Sequence, residues 1–301
     1  MSFSRLLLPA LRFPDAADAP DPFLRLAARG VGGFCVFGGD ARLPDLLRRL
    51  REAAPHPLLV ASDMEDGAGQ QVSGLVRHPP AAALDPEAAR ASARLTALEA
   101  RPLGITMTFA PVCDVASRPK NPILLARCFP DPPRCAPAFV EGARSLGLKT
   151  CAKHFPGHGA TEEDSHEQLP VIADPAETWR TRDLPPFSAC FSSGVDAVMT
   201  AHVACPALTG SPTLPATLSP RVMTDLLRKE MGFLGLAISD ALLMEAVRQG
   251  RSEGEAARLA VDAGCDAVLC PQDVEAVLTA LETVGRARGE EALARMAIAA
   301  E

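Results

Sequence analysis

Tyrosine is absent from the 301-residue sequence, and tryptophan occurs once, at Trp179. That scarcity argues against a long cleft paved with large aromatic platforms. Lysine is scarce too, with four residues, and no run of five or more basic residues occurs in a chain of net charge −7. Neither nucleic acid nor an anionic membrane surface is expected as a partner. No apolar run approaches the ~18 residues of a membrane span, and Met1–Pro9 offers only three consecutive leucines before a proline. The nine cysteines are odd in number and scattered, without a Cys-x-x-Cys pair. That excludes a disulfide framework or zinc ribbon and suits a reducing compartment. No Gly/Ser-rich linker or low-complexity block divides the chain. What is present is 48% hydrophobic and 22% charged residues, enough for a sizeable core. The expectation is a soluble, cytoplasmic protein of one domain spanning residues 1–301.

Eight short β-like runs can be traced: Phe3–Pro9, Gly33–Phe37, Leu58–Asp63, Ile105–Pro111, Leu148–His154, Ala197–His202, Leu236–Asp240 and Ala267–Pro271. Helix-like stretches fall between most of them: Pro44–Ala53, Pro86–Leu98, Ala136–Leu146, Pro185–Ser192, Pro220–Met231, Ser252–Ala263 and Val274–Val284. Ser219 precedes Pro220 as an N-cap, and Ser252 with Glu255 forms a capping-box pattern closed by Gly264. The proline-rich patches Pro14–Pro22 and Pro130–Pro137 read as loops. Alternating β and α units with strands apolar on both faces imply a parallel sheet covered by helices. Eight such units in this length favour a single (β/α)8 TIM-like barrel, an α/β fold, over an open doubly wound sheet.

Rare polar residues fall at the ends of these runs. Asp63 ends the third, Lys153 and His154 the fifth, His202 the sixth and Asp240 the seventh. In a barrel all would reach one rim, the C-terminal one, where active sites lie. Residues 151–166 are the densest stretch, holding three of the six histidines. Asp164 and His166 stand at i, i+2, on one side of an extended segment, and a carboxylate beside an imidazole fixes its tautomer. Asp240 at a strand end could be a nucleophile, a metal ligand or a helix cap. His154, His158 and His166 lie close in sequence, but no carboxylate joins them at the helical spacing zinc enzymes use, so neither a metal nor a cofactor is expected.

Lys153-His-Phe-Pro-Gly-His-Gly159 followed by Asp164-Ser-His166 resembles the signature of the bacterial β-N-acetylglucosaminidases of glycoside hydrolase family 3. The resemblance extends to Gly104–Asp114, ending in Ala-Pro-Val-Cys-Asp, and to Val198–His202, Leu214–Ser219 and Gly232–Asp240. It implies Asp240 as the nucleophile of a retaining reaction and His166 as general acid/base, oriented by Asp164, in place of a second carboxylate. Asp63, Arg127, Lys153 and His154, with His202, would hold the hydroxyls of a terminal sugar. The implied partner is a small carbohydrate, terminal N-acetylglucosamine of peptidoglycan-recycling fragments, handled by a monomer of the single-domain type. Scarce aromatics fit a pocket for one sugar, hence exo-action. Two departures stand out. Cys128 and Pro130 follow Arg127 where the family usually has Ser and Gly. The segment Asp63-Met-Glu-Asp-Gly-Ala-Gly-Gln-Gln-Val72 is longer than the family's Asp-x-Glu-Gly-Gly-Arg-Val and lacks its arginine. Competing readings are a β-glucosidase, β-xylosidase or phosphorylase of the family and an inactive sugar-binding barrel. An unrelated one is a metal-dependent barrel hydrolase using His154, His158, His202 and Asp240.

Overall fold

The computed structural model describes residues 2–118, 124, 126–161 and 168–301. Their strands are β1 (Leu7–Leu8), β2 (Ala10–Arg12), β3 (Gly33–Phe37), β4 (Leu59–Ser62), β5 (Met107–Thr108), β6 (Lys149–Phe155), β7 (Ala197–Thr200), β8 (Leu236–Ala241) and β9 (Ala267–Leu269). All neighbours pair in parallel, in the order β1-β9-β8-β7-β6-β5-β4-β3-β2. The two ends of that order are one stretch of chain interrupted at Pro9, which has no N–H to give. Its oxygen accepts from Cys35 N–H at 2.9 Å, while Leu8 O accepts from Cys270 N–H at 3.0 Å. The sheet thereby closes on itself as the expected (β/α)8 barrel. The middle strands are buried on both faces, because helices cover the outside and side chains fill the inside.

Local chemistry sets the helices. Asp85 accepts from Ala88 N–H at 2.8 Å ahead of Pro86, opening the Ala-rich helix Pro86–Ala100. Ser252 accepts from Glu255 N–H at 3.1 Å and opens Glu253–Ala263. No helix among the described residues is long and apolar enough to cross a membrane.

Three readings of the sequence are corrected. Pro130–Pro137 is largely helix: Pro132 and Pro133 occupy the first turn of Pro132–Arg144, where an N–H would have no intrahelical partner, and Pro137 lies inside it. Helix Asp21–Ala28 emerges from the Pro14–Pro22 patch by the same device, with Pro22 in its first turn. A final helix, Arg286–Ala300, follows Val274–Leu281. Its buried face is largely small residues, Gly289, Ala292, Ala299 and Ala300, so it lacks the apolar stripe that announces a helix. A Cβ at Gly289 would lie 2.3 Å from the Phe3 ring, which is how this face seats on the barrel.

Candidate active site

Along a regular strand successive side chains alternate between faces, which would separate Lys153 from His154. β6 instead shifts register against β7 between Ala152 and Phe155, and both side chains line one pocket. The Lys153 side chain is 2% exposed. Its Nζ lies 2.6 Å from Asp63 Oδ1 and 2.6 Å from Glu65 Oε1. Glu65 in turn accepts both N–H bonds of an Arg127 fork, Nε and Nη2 each at 2.8 Å. Burial alone would raise the Glu65 pKa, but Lys153 and then Arg127 overwhelm it and hold the carboxyl far below its ordinary value. Burial would likewise depress Lys153, yet Asp63 and Glu65 raise it above its ordinary value. Glu65, Arg127 and Lys153 are therefore ionised at neutral pH. The sequence reading assigned no role to Glu65. The available signal was its i, i+2 spacing from Asp63, which faces both carboxylates the same way in extended chain.

Asp114 is the second residue that sequence reasoning left without a role. It is 1% exposed, and Val112 bridges Lys153 in parallel, bringing its carboxylate beneath β6. Oδ2 stands 2.7 Å from His154 Nδ1, and Oδ1 accepts from the His158 N–H at 2.6 Å. A carboxylate against Nδ1 fixes that nitrogen as donor and leaves Nε2 for the cavity. Burial raises Asp114, but His154 and then His158 bring it below its usual value. His158 itself is pushed by burial down to about 4, so it is neutral near pH 7.

The turn after β6 is closely packed. Gly157 adopts φ +142° against the Asp183 side chain. A Cβ at Gly159 would fall 1.9 Å from the Val115 carbonyl oxygen, and backbone cannot yield as a flexible side chain can. Gly159→Ala should therefore displace the turn and lower Tm by a few degrees, since overpacking costs about 1–3 kcal/mol. A melting curve matching the wild type would contradict this packing.

Asp240 lies near the end of β8, its Oδ1 accepting from the Ala241 N–H at 2.7 Å. Burial raises its pKa, but His154 foremost, the Ala241 N–H and Lys153 together bring it below the ordinary 3.8, so it is a carboxylate at neutral pH. Asp240 shares a cavity of about 370 Å³ with Asp63, Glu65, Arg127, Lys153 and His154. That is the small end of the roughly 300–1,000 Å³ typical of ligand pockets.

The structure thus brings five of the expected site residues, Asp63, Arg127, Lys153, His154 and Asp240, into one pocket. His202 is corrected: it is fully buried and does not line the cavity. The Ala241 carbonyl can only accept, so Nε2–H donates to it at 3.2 Å and Nδ1 faces the Thr217 hydroxyl at 2.8 Å. Burial lowers its pKa, and this neutral imidazole braces the β8 end from behind. Ending a strand put His202 at the rim's height, but not on its inner side. Asp164 and His166 lie outside the described residues. Among the described residues no group of three or more His, Cys, Asp or Glu side chains is arranged to hold a metal ion.

A closed parallel barrel with ionised carboxylates and cations gathered at its C-terminal rim has the architecture of a barrel enzyme. The chain belongs to glycosyl hydrolase family 3: the family's N terminal domain matches residues 15–300. It is 39% identical over 262 residues to a β-hexosaminidase of Xylella fastidiosa (strain 9a5c), covering 81% of this chain and 77% of that one. Among solved structures, it matches a glycoside hydrolase family 3 β-N-acetylglucosaminidase from Paenibacillus sp. str. FPU-7 with a TM-score of 0.91 at 33% identity, covering 99% of this chain and 61% of that one. This chain thus spans about three fifths of that protein's length. A β-N-acetylhexosaminidase from Beutenbergia cavernae DSM 12333 matches with a TM-score of 0.87 at 27% identity, covering 99% of this chain and 97% of that one.

Proposed function

We propose that the protein is a retaining exo-β-N-acetylhexosaminidase that removes terminal β-linked N-acetylglucosamine from peptidoglycan fragments in the cytoplasm, as one barrel domain. The observation that carries this reading is the placement of Asp240, an ionised carboxylate, in the same small cavity as Asp63, Lys153, Arg127 and His154. A neutral sugar has only hydroxyls and an amide to be held by, and charge-assisted hydrogen bonds at fixed angles suit that task. Relatives named for hexosaminidase activity support the choice of sugar. Fixed sugar hydroxyls would present the anomeric carbon to Asp240, whose attack expels the leaving oxygen and forms a glycosyl ester. His166, its tautomer set by Asp164, would protonate that oxygen and then take a proton from the water that hydrolyses the ester.

A panel of aryl β-glycosides differing only at the sugar 2-position tests the reading. The N-acetyl compound should be turned over at least tenfold faster, in kcat/KM, than the 2-hydroxyl compound. The reverse preference would replace the hexosaminidase reading with a glucosidase one.

A further inference from the structure

Two of the cavity's charged donors are committed to its own carboxylates, Lys153 to Asp63 and Glu65 and Arg127 to Glu65, while a third, Arg12, lies over the Phe37 ring at 5.0 Å from its centroid. Two further donors on its wall are uncharged. Gln70 and Gln71 both line the cavity, and they sit in the loop that departs from the family pattern where an arginine usually stands.

The loop is firmly built. Ala68–Gln70 forms a 3-10 turn, entered from Gly67 at φ +82°. His78 N–H donates to Asp66 O at 2.7 Å, and Arg77 pairs with the Asp66 carboxylate at 3.0 Å. Ser73 N–H donates to Gly39 O at 2.9 Å, beside a bridge between Gly39 and Val72.

Backbone amides fix the orientation of both side chains. Gln70 Oε1 accepts from Glu65 N–H at 2.7 Å and Asp66 N–H at 3.1 Å. Gln71 Oε1 accepts from Gly38 N–H at 3.0 Å. An amide that presents its oxygen to a backbone donor must turn its NH2 elsewhere, which settles the assignment of O and N. Neither Nε2 has a hydrogen-bond partner among the described residues.

We propose that Gln70 and Gln71 are specificity-determining residues whose amide NH2 groups donate to acceptor oxygens of the bound saccharide. This deepens the glycosidase reading and rests on it. The donors are uncharged and directional. They favour a neutral acceptor, a hydroxyl or an amide carbonyl, where a guanidinium in the same loop would favour a carboxylate.

Gln71→Glu and Gln71→Met separate recognition from bracing. The glutamate keeps an oxygen for the Gly38 N–H and loses the donor; the methionine loses both. With an aryl β-N-acetylglucosaminide, recognition predicts that each variant raises KM about five- to tenfold, the weight of one neutral hydrogen bond, with kcat within about twofold. It also predicts a Tm that falls only in the methionine variant. A Gln71→Glu enzyme with wild-type KM would overturn the proposal and leave the glutamine as a loop brace. Should the wild type not turn the substrate over, the functional reading fails separately, and calorimetry with free N-acetylglucosamine decides. A Kd weakened five- to tenfold by Gln71→Glu supports the donors. An unchanged Kd, or no binding to the wild type, overturns them.

Discussion

Replacing Asp240 by alanine is expected to reduce kcat for an activated aryl β-N-acetylglucosaminide by about 10⁴-fold or more, the scale on which nucleophile deletions act. The side chain stands at a strand end with one backbone partner, the Ala241 N–H at 2.7 Å. Its loss removes one hydrogen bond together with the cost of burying a charge, so Tm should stay within a few degrees. That pairing of a lost rate with a kept fold separates a nucleophile from a strut. A small anion such as azide, able to enter the space left by the carboxylate, should restore turnover and release a glycosyl azide of inverted configuration. The pH dependence has a defined sign. A nucleophile must be ionised, and Asp240 is held below the ordinary 3.8, so the acid limb of kcat/KM attributable to it lies below that value. Near-normal rates for Asp240→Ala would remove it from the chemistry altogether.

The barrel was legible because its signal is local. Each β-like run is short, apolar on both faces and bounded by turn or helix signals, and each overlaps a strand of the structure; Leu236–Asp240 differs from β8 by one residue. Asp63, Lys153 and Asp240 were legible for the same reason: a charged residue closing an apolar run has few places to go but the rim. Glu65, Asp114 and His202 were not, since their placement depends on partners far along the chain. Lys153 meets Asp63 across 90 residues, Arg127 meets Glu65 across 62, and His154 meets Asp114 across 40. No periodicity encodes such meetings. They follow from parallel register, which brings Val112 beside Lys153. The misread prolines show the converse. A proline-rich string looks like a loop until its position in a first helical turn is known, where its missing N–H costs nothing.

Lys153→Met should be the most destabilising single change at the site. The ammonium is 2% exposed and lies between two carboxylates, so the aliphatic stem is replaced almost in kind while the charge is lost. Glu65, itself 6% exposed on its side chain, would keep only Arg127. Removing one partner of a buried ion pair strands the other and costs about 3–5 kcal/mol. The pH dependence distinguishes this from a packing defect. Glu65 is depressed in the folded state, so the stability it contributes is present above its ordinary value near 4.5 and declines as pH falls towards the folded pKa. Lys153 is raised above its ordinary 10.5, so its share is complete below that value and is lost only as pH climbs through the higher folded pKa. Between those limits both contributions are whole in the wild type, and Lys153→Met loses the coupling between them. The Tm gap between wild type and variant should therefore be widest across neutral pH and narrow below about pH 4, where protonation relieves the stranded carboxylate. Thermal melts across that range measure it directly. A gap constant with pH would mean that the lysine acts there by volume, and that the charge network is not what holds the pocket in shape.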